Sequence, residues 1–107
     1  MNTNNRPQGL NKKLLTQIIK LILNYKKPEK IVLFGSRVNN DFKKTSDIDI
    51  AIFGKNWKDK DINIIKNELD ELIKTPLKFD VINFYDIRKS KLKKNIFKNG
   101  VIIYKSC

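Results

Sequence analysis

A chain of 107 residues makes one domain with a single modest core, and its 40% apolar and 32% charged residues suit a globular protein rather than a fibrous or disordered one. No apolar run reaches the roughly 18–20 residues that cross a bilayer, and the polar opening "MNTNNRPQG" carries no leader pattern, so a cytoplasmic location is expected. With no histidine and a single cysteine, Cys107, internal disulfides and cysteine metal sites are excluded; any metal would be held by oxygen, which points to magnesium or manganese rather than zinc.

The net charge of +12 favours a polyanionic partner: a nucleotide, a nucleic acid or an acidic protein surface. Most of the basic residues are lysines in a chain also heavy in Asn and Ile, so compositional bias is the alternative account of that charge.

Residues 1–9 read as a flexible N-terminus and residues 10–107 as one domain. From Leu10 to Tyr25, Leu14, Ile18, Leu21, Ile22 and Tyr25 recur at helical spacing with lysines opposite, and Pro28 stops the helix. "KIVLFG" (Lys30–Gly35) is a continuous apolar run of strand length and predicts a buried strand. A polar loop follows from Arg37 to Thr45. In "SDIDIAIF" (Ser46–Phe53), Asp47, Asp49, Ala51 and Phe53 alternate against Ile48, Ile50 and Ile52.

Asp59–Lys74 predicts a second amphipathic helix with its acids early and a buried stripe of Ile62, Ile65, Leu69, Leu72 and Ile73, closed by Pro76. Leu77–Phe84 alternates again, with Leu77, Phe79 and Val81 opposite Lys78, Asp80 and Ile82. A basic helix over 86–99 ends at Gly100 in the usual C-terminal capping position, and "VIIY" closes the series as a strand. The fold class is α/β (α+β): a small mixed sheet flanked by helices.

Asp47 and Asp49 are the anomaly in this pattern. Two like charges on one strand face repel, and a carboxylate in an apolar setting is costly unless a positive group stands between them. They lie about 6.6–6.8 Å apart along the strand, close enough to converge on a divalent cation. Asp80, flanked by Phe79 and Val81, is the natural third ligand. Gly35 at a strand end lets backbone N–H groups approach an anion. Ser36 can donate a hydroxyl to a terminal phosphate oxygen, and Arg37 a planar fork of donors. The loop is not a Walker A motif, whose second glycine, lysine and Ser/Thr are missing. Together the pieces describe a site for a nucleoside triphosphate with magnesium.

Gly35-Ser36, ten intervening residues, then Asp47-Ile48-Asp49 resembles the signature of the DNA polymerase β-type nucleotidyltransferase superfamily. More closely, "GSR…SDIDIAIF" is similar to the minimal nucleotidyltransferases (MNT), which act as antitoxins beside HEPN-domain toxins. The likeness runs from about Lys30 to Tyr104 and includes "FDVINFYDI" and "NGVIIY". It implies a polymerase β-like fold, triphosphate binding by Gly35 and Ser36, and metal binding by Asp47, Asp49 and Asp80. Asp80 would also help deprotonate the attacking hydroxyl. It further implies transfer of AMP from ATP, with two Mg²⁺ ions (or Mn²⁺), to a tyrosine of a HEPN toxin. Asn39-Asn40 stands where many relatives have Arg-Gly, which removes one cationic contact.

Other readings stay open on residues alone. The acceptor could be a small molecule or an RNA end, the chain could be an antitoxin that neutralises by binding, or it could be a basic RNA-binding module. A chain this short lacks room for an acceptor-binding domain, so a partner would supply part of the site.

Overall fold

The computed structural model describes residues 12–35, 47–75 and 77–106. The expected N-terminal flexible segment 1–9, the loop with Ser36, Arg37 and Asn39-Asn40, Phe42, and Cys107 lie outside the described residues.

The elements run α1 (Lys12–Tyr25), β1 (Lys30–Phe34), β2 (Ile48–Phe53), α2 (Asp59–Leu72), β3 (Phe79–Asn83), a 3₁₀ turn (Phe84–Asp86), α3 (Ser90–Asn99) and β4 (Val101–Lys105). They form a four-stranded sheet in the order β3-β2-β1-β4. β1 pairs antiparallel with both β2 and β4, while β2 and β3 are parallel, so α2 is the crossover that a parallel pair requires.

The two faces of the sheet bury different sets. Ile31, Leu33, Ile48, Ile50, Ile52, Phe79 and Val81 pack against Ile18 and Ile22 of α1 and Ile62, Ile65 and Leu69 of α2. Val32, Ala51 and Phe53 pack on the other face with Phe84 and with Ile96 of α3. Each fully buried isoleucine contributes about 1.5–3 kcal/mol of transfer free energy, so the α1/α2 face carries most of the core. Period-two alternation in β2 therefore sorts its isoleucines to one side and Asp49, Ala51 and Phe53 to the other. Among the described residues no helix is long and apolar enough to cross a membrane.

Leu72 departs from the expected stripe of α2: it is 67% exposed, while Ile73 is buried. The helix ends at Leu72, and Ile73 is extended (φ −95°, ψ 117°) with its amide still bonded to the Leu69 carbonyl. That change of backbone turns Ile73 into the core in place of the residue before it. Gly100 does follow α3, but at φ −64° rather than in left-handed backbone. A Cβ there would lie 2.4 Å from the Ile96 carbonyl oxygen and 2.6 Å from Val32 Cγ1, so close approach of α3 to the sheet, and not turn handedness, calls for glycine.

Candidate active site

The register of the sheet lines up the end of β1, Asp49 and Asp80 in one row. Phe34 is opposite Asp49 in the antiparallel pair, and Asp49 is opposite Asp80 in the parallel pair. Gly35 follows immediately, with φ +86°, a backbone conformation that L side chains rarely adopt. A Cβ on Gly35 would fall 2.1 Å from Asp49 Oδ2. The absent side chain is what gives the Asp49 carboxylate its place beside the strand end.

Asp47 precedes β2 and is exposed, Asp49 is partly buried, and Asp80 is exposed on the edge strand. Burial pushes the Asp49 carboxyl up to about 6, and the neighbouring charges of Asp80 and Asp47 add to the rise. The three carboxylates predicted from the sequence thus act on one another through space. They are not drawn tightly together: among the described residues no group of three His, Cys, Asp or Glu is close enough to hold a metal ion. The donor set is all oxygen and suits a hard divalent cation, and Gly35 keeps the space beside Asp49 open, so the residues fit such an ion. Ser36 and Arg37, the other two predicted contacts, lie outside the described residues.

Two polar anchors around this sheet escape pattern reading. Asn83, 5% exposed at the end of β3, donates through Nδ2 to the Gly54 and Trp57 carbonyls (2.8 and 3.2 Å) and accepts the Tyr85 amide through Oδ1 (3.2 Å). It ties the β2–α2 turn to the strand that carries Asp80. Asp61, 4% exposed in the first turn of α2, accepts the Lys58 amide at 2.8 Å and the Tyr25 hydroxyl at 2.5 Å. Lys26 Nζ stands 3.4 Å away. An amide within an otherwise apolar "VINF" run was the available signal for Asn83. Asp61 follows Asp59 in a helix start where any acid looks adequately explained by the dipole.

Solved structures similar to this one include the following three. A toxin–antitoxin structure with AMP-PNP superposes with TM-score 0.73 at 21% identity over 86% of this chain and 73% of that one. A mutant of the toxin–antitoxin MntA-HpeT gives TM-score 0.73 at 20% identity over 91% of this chain and 75% of that one. A putative nucleotidyltransferase from Sulfolobus solfataricus gives TM-score 0.55 at 21% identity over 92% of each chain. At these identities the likeness shows the fold. No curated protein matches the chain. The pattern of the family "Polymerase beta, Nucleotidyltransferase" matches residues 16–106, which takes in Gly35 and all three aspartates. With that match over most of its length, and with a sheet that places Asp49 and Asp80 in one row beside Gly35, the chain belongs to the polymerase beta nucleotidyltransferase family.

Proposed function

We propose that the protein is a Mg²⁺-dependent nucleotidyltransferase that moves AMP from ATP to a hydroxyl of a partner protein, acting as the antitoxin of a toxin–antitoxin pair in the cytoplasm. The observation that carries this reading is the cross-strand pairing of Asp49 with Asp80 beside the positive-φ Gly35. Support for the nucleotide and for the antitoxin role comes from the AMP-PNP in one toxin–antitoxin neighbour and from the MntA-HpeT neighbour. A tyrosine on a HEPN toxin is the acceptor that the sequence resemblance implies.

In this reading Asp47, Asp49 and Asp80 would hold two divalent ions, which when bound would supply neutralisation of the charge on the phosphates. The backbone at Gly35 and the hydroxyl of Ser36 hold the β- and γ-phosphates, with Arg37 as a further donor. Asp80, exposed on the edge strand, takes the proton of the acceptor hydroxyl at its carboxylate as the oxygen attacks the α-phosphorus in line with the departing pyrophosphate. A new P–O bond forms and the α–β bridge breaks.

A second reading is neutralisation of the toxin by binding alone, which needs no ion at the acidic row. One experiment separates the two. The protein is incubated with labelled ATP, Mg²⁺ and the product of the neighbouring gene. Label on the partner that vanishes with Asp47→Asn supports transfer; neutralisation that survives the substitution, with no label, supports occlusion.

A further inference from the structure

The peptide group between Lys78 and Phe79, immediately ahead of Asp80, is bonded on both sides. Its carbonyl, of Lys78, accepts the Ile48 amide at 2.9 Å, and Ile48 stands between Asp47 and Asp49. Its N–H, of Phe79, turns to the other edge and donates to Asp70 Oδ1 at 3.0 Å. Among the described residues β3 pairs with no strand except β2, so a side chain of α2 supplies the acceptor that a further strand would give at this point. Asp70 is an unfavourable residue on its own helix. It lies in the last turn of α2, at the negative end of the helix dipole, in a turn that holds no basic residue. Its contacts supply the reason for it. Oδ2 accepts from Lys66 Nζ at 3.1 Å, one turn back, while Oδ1 takes the Phe79 amide. Against the upward push of burial, the Phe79 amide and then the Lys66 ammonium hold the Asp70 carboxyl below the usual carboxylate range, so it accepts as a charged group at neutral pH.

From this geometry we infer that Asp70 is a positioning residue for the acidic row: by holding the Phe79 amide it fixes the start of β3, so that the Asp80 carboxylate stays opposite Asp49. Its effect on rate rests on the transfer proposed above, whereas the anchor itself is measurable without any reaction. Asp80 is exposed, so core packing does not hold it and its place comes from its backbone. The ladder to β2 holds that backbone on one side, and Asp70 holds it on the other. Without the Asp70 oxygen the 78–79 peptide is tied to β2 alone and tilts about that one bond. The movement reaches Asp80 one residue on, and Ile48 between the other two aspartates. A displacement of about 1 Å in a reacting group can cost roughly 100-fold in rate. The Lys66 pair is the lesser part, because both side chains are partly exposed and such pairs contribute little. What the row uses is an oxygen acceptor at Oδ1. Asparagine also provides one; alanine and leucine do not.

The test compares Asp70→Asn, Asp70→Ala, Asp70→Leu and Asp61→Asn in the full chain, at a temperature where each is folded. Alanine and leucine both favour the helix, so removal of the acceptor does not depend on one variant folding. Hydrogen exchange reads the anchor. The Phe79 and Ile48 amides should exchange about tenfold faster or more in the alanine and leucine variants and near the wild-type rate in the asparagine variant. The Tyr85 amide, held by Asn83 at the far end of β3, should not change. Transfer of label from ATP to the product of the neighbouring gene reads the consequence. With alanine or leucine kcat should fall about tenfold or more at a nearly unchanged KM for ATP, and asparagine should restore it. Asp61→Asn weakens an anchor at the opposite end of α2 and should keep the wild-type kcat, which separates positioning from a general loss of stability. Unchanged Phe79 and Ile48 exchange in both acceptor-less variants would overturn the anchor. Wild-type kcat in those variants, no rescue by asparagine, or an equal loss in Asp61→Asn would overturn the positioning role. If the wild-type chain transfers no label, the transfer reading fails by itself, and a Mn²⁺ titration followed by water-proton relaxation decides Asp70. Binding weakened about tenfold by alanine and restored by asparagine supports the role, and equal binding in all three refutes it.

Discussion

The Cα of Gly35 and the carboxylate of Asp49 are so close that the side chain of any other residue at position 35 would enter the volume of Oδ2. Gly35→Ala therefore meets two penalties: the overlap, and a φ of +86° that costs an L residue about 1–2 kcal/mol. The expected outcome is a loss of about 2 kcal/mol or more in urea unfolding and loss of Mg·ATP uptake in calorimetry. Trp57, the single tryptophan and 5% exposed, reports unfolding by fluorescence. An alanine variant with unchanged midpoint and unchanged Mg·ATP binding would separate Gly35 from the site.

Asp49→Asn tests the repulsion itself. Asp49 is partly buried between like charges, so in the absence of divalent metal the neutral amide should raise the thermal midpoint by a few degrees. Millimolar Mg²⁺ with ATP should raise the midpoint of the wild-type chain and leave that of the variant unmoved. Thermal melts with and without Mg·ATP check both. A variant that melts lower than wild type in metal-free buffer would show that the carboxylate makes favourable contacts instead.

The sequence pattern exposes one half of this site more readily than the other. Spacing of two along a strand is a local property, so Asp47 and Asp49 declare a shared face without any knowledge of the fold. That Asp80 stands opposite Asp49 is set by the parallel register across the α2 crossover, which local pattern does not contain; its apolar neighbours and the family likeness pointed to it. Leu72 is misread because the 3.6-residue period carries past the point where the backbone becomes extended. The contacts of Asn83 and Asp70 depend on which elements flank β3, and that too is a global property.

Acid should act in part through Asp61. The Lys58 amide, then the Tyr25 hydroxyl and the Lys26 ammonium, hold its carboxyl down at about 2, against the upward push of burial. A depressed carboxylate contributes stability that is complete above the unfolded value near 4 and is lost as pH falls through about 2. The wild-type midpoint should drop across that window. Asp61→Asn should start lower at pH 7 and show a shallower slope between pH 4 and 2. Parallel slopes for the two proteins would remove Asp61 from the account.

Asn83 makes the sharpest case for a buried polar group whose removal is felt at a distance. Its side chain, 5% exposed, satisfies two carbonyls, of Gly54 and Trp57, and the Tyr85 amide. Each partner left unsatisfied costs about 1–3 kcal/mol, so Asn83→Leu should destabilise by roughly 3 kcal/mol even though it adds apolar surface. Asn83→Asp should be worse above pH 5, because a carboxylate would face the same two carbonyls with no proton to give. Protonation restores one donor, so the aspartate variant should regain part of its stability toward pH 4. Denaturant midpoints of the three proteins at pH 4 and pH 7 test the order wild type, leucine, aspartate at neutral pH. An aspartate variant as stable as wild type at pH 7 would mean that the Gly54 and Trp57 carbonyls find other donors.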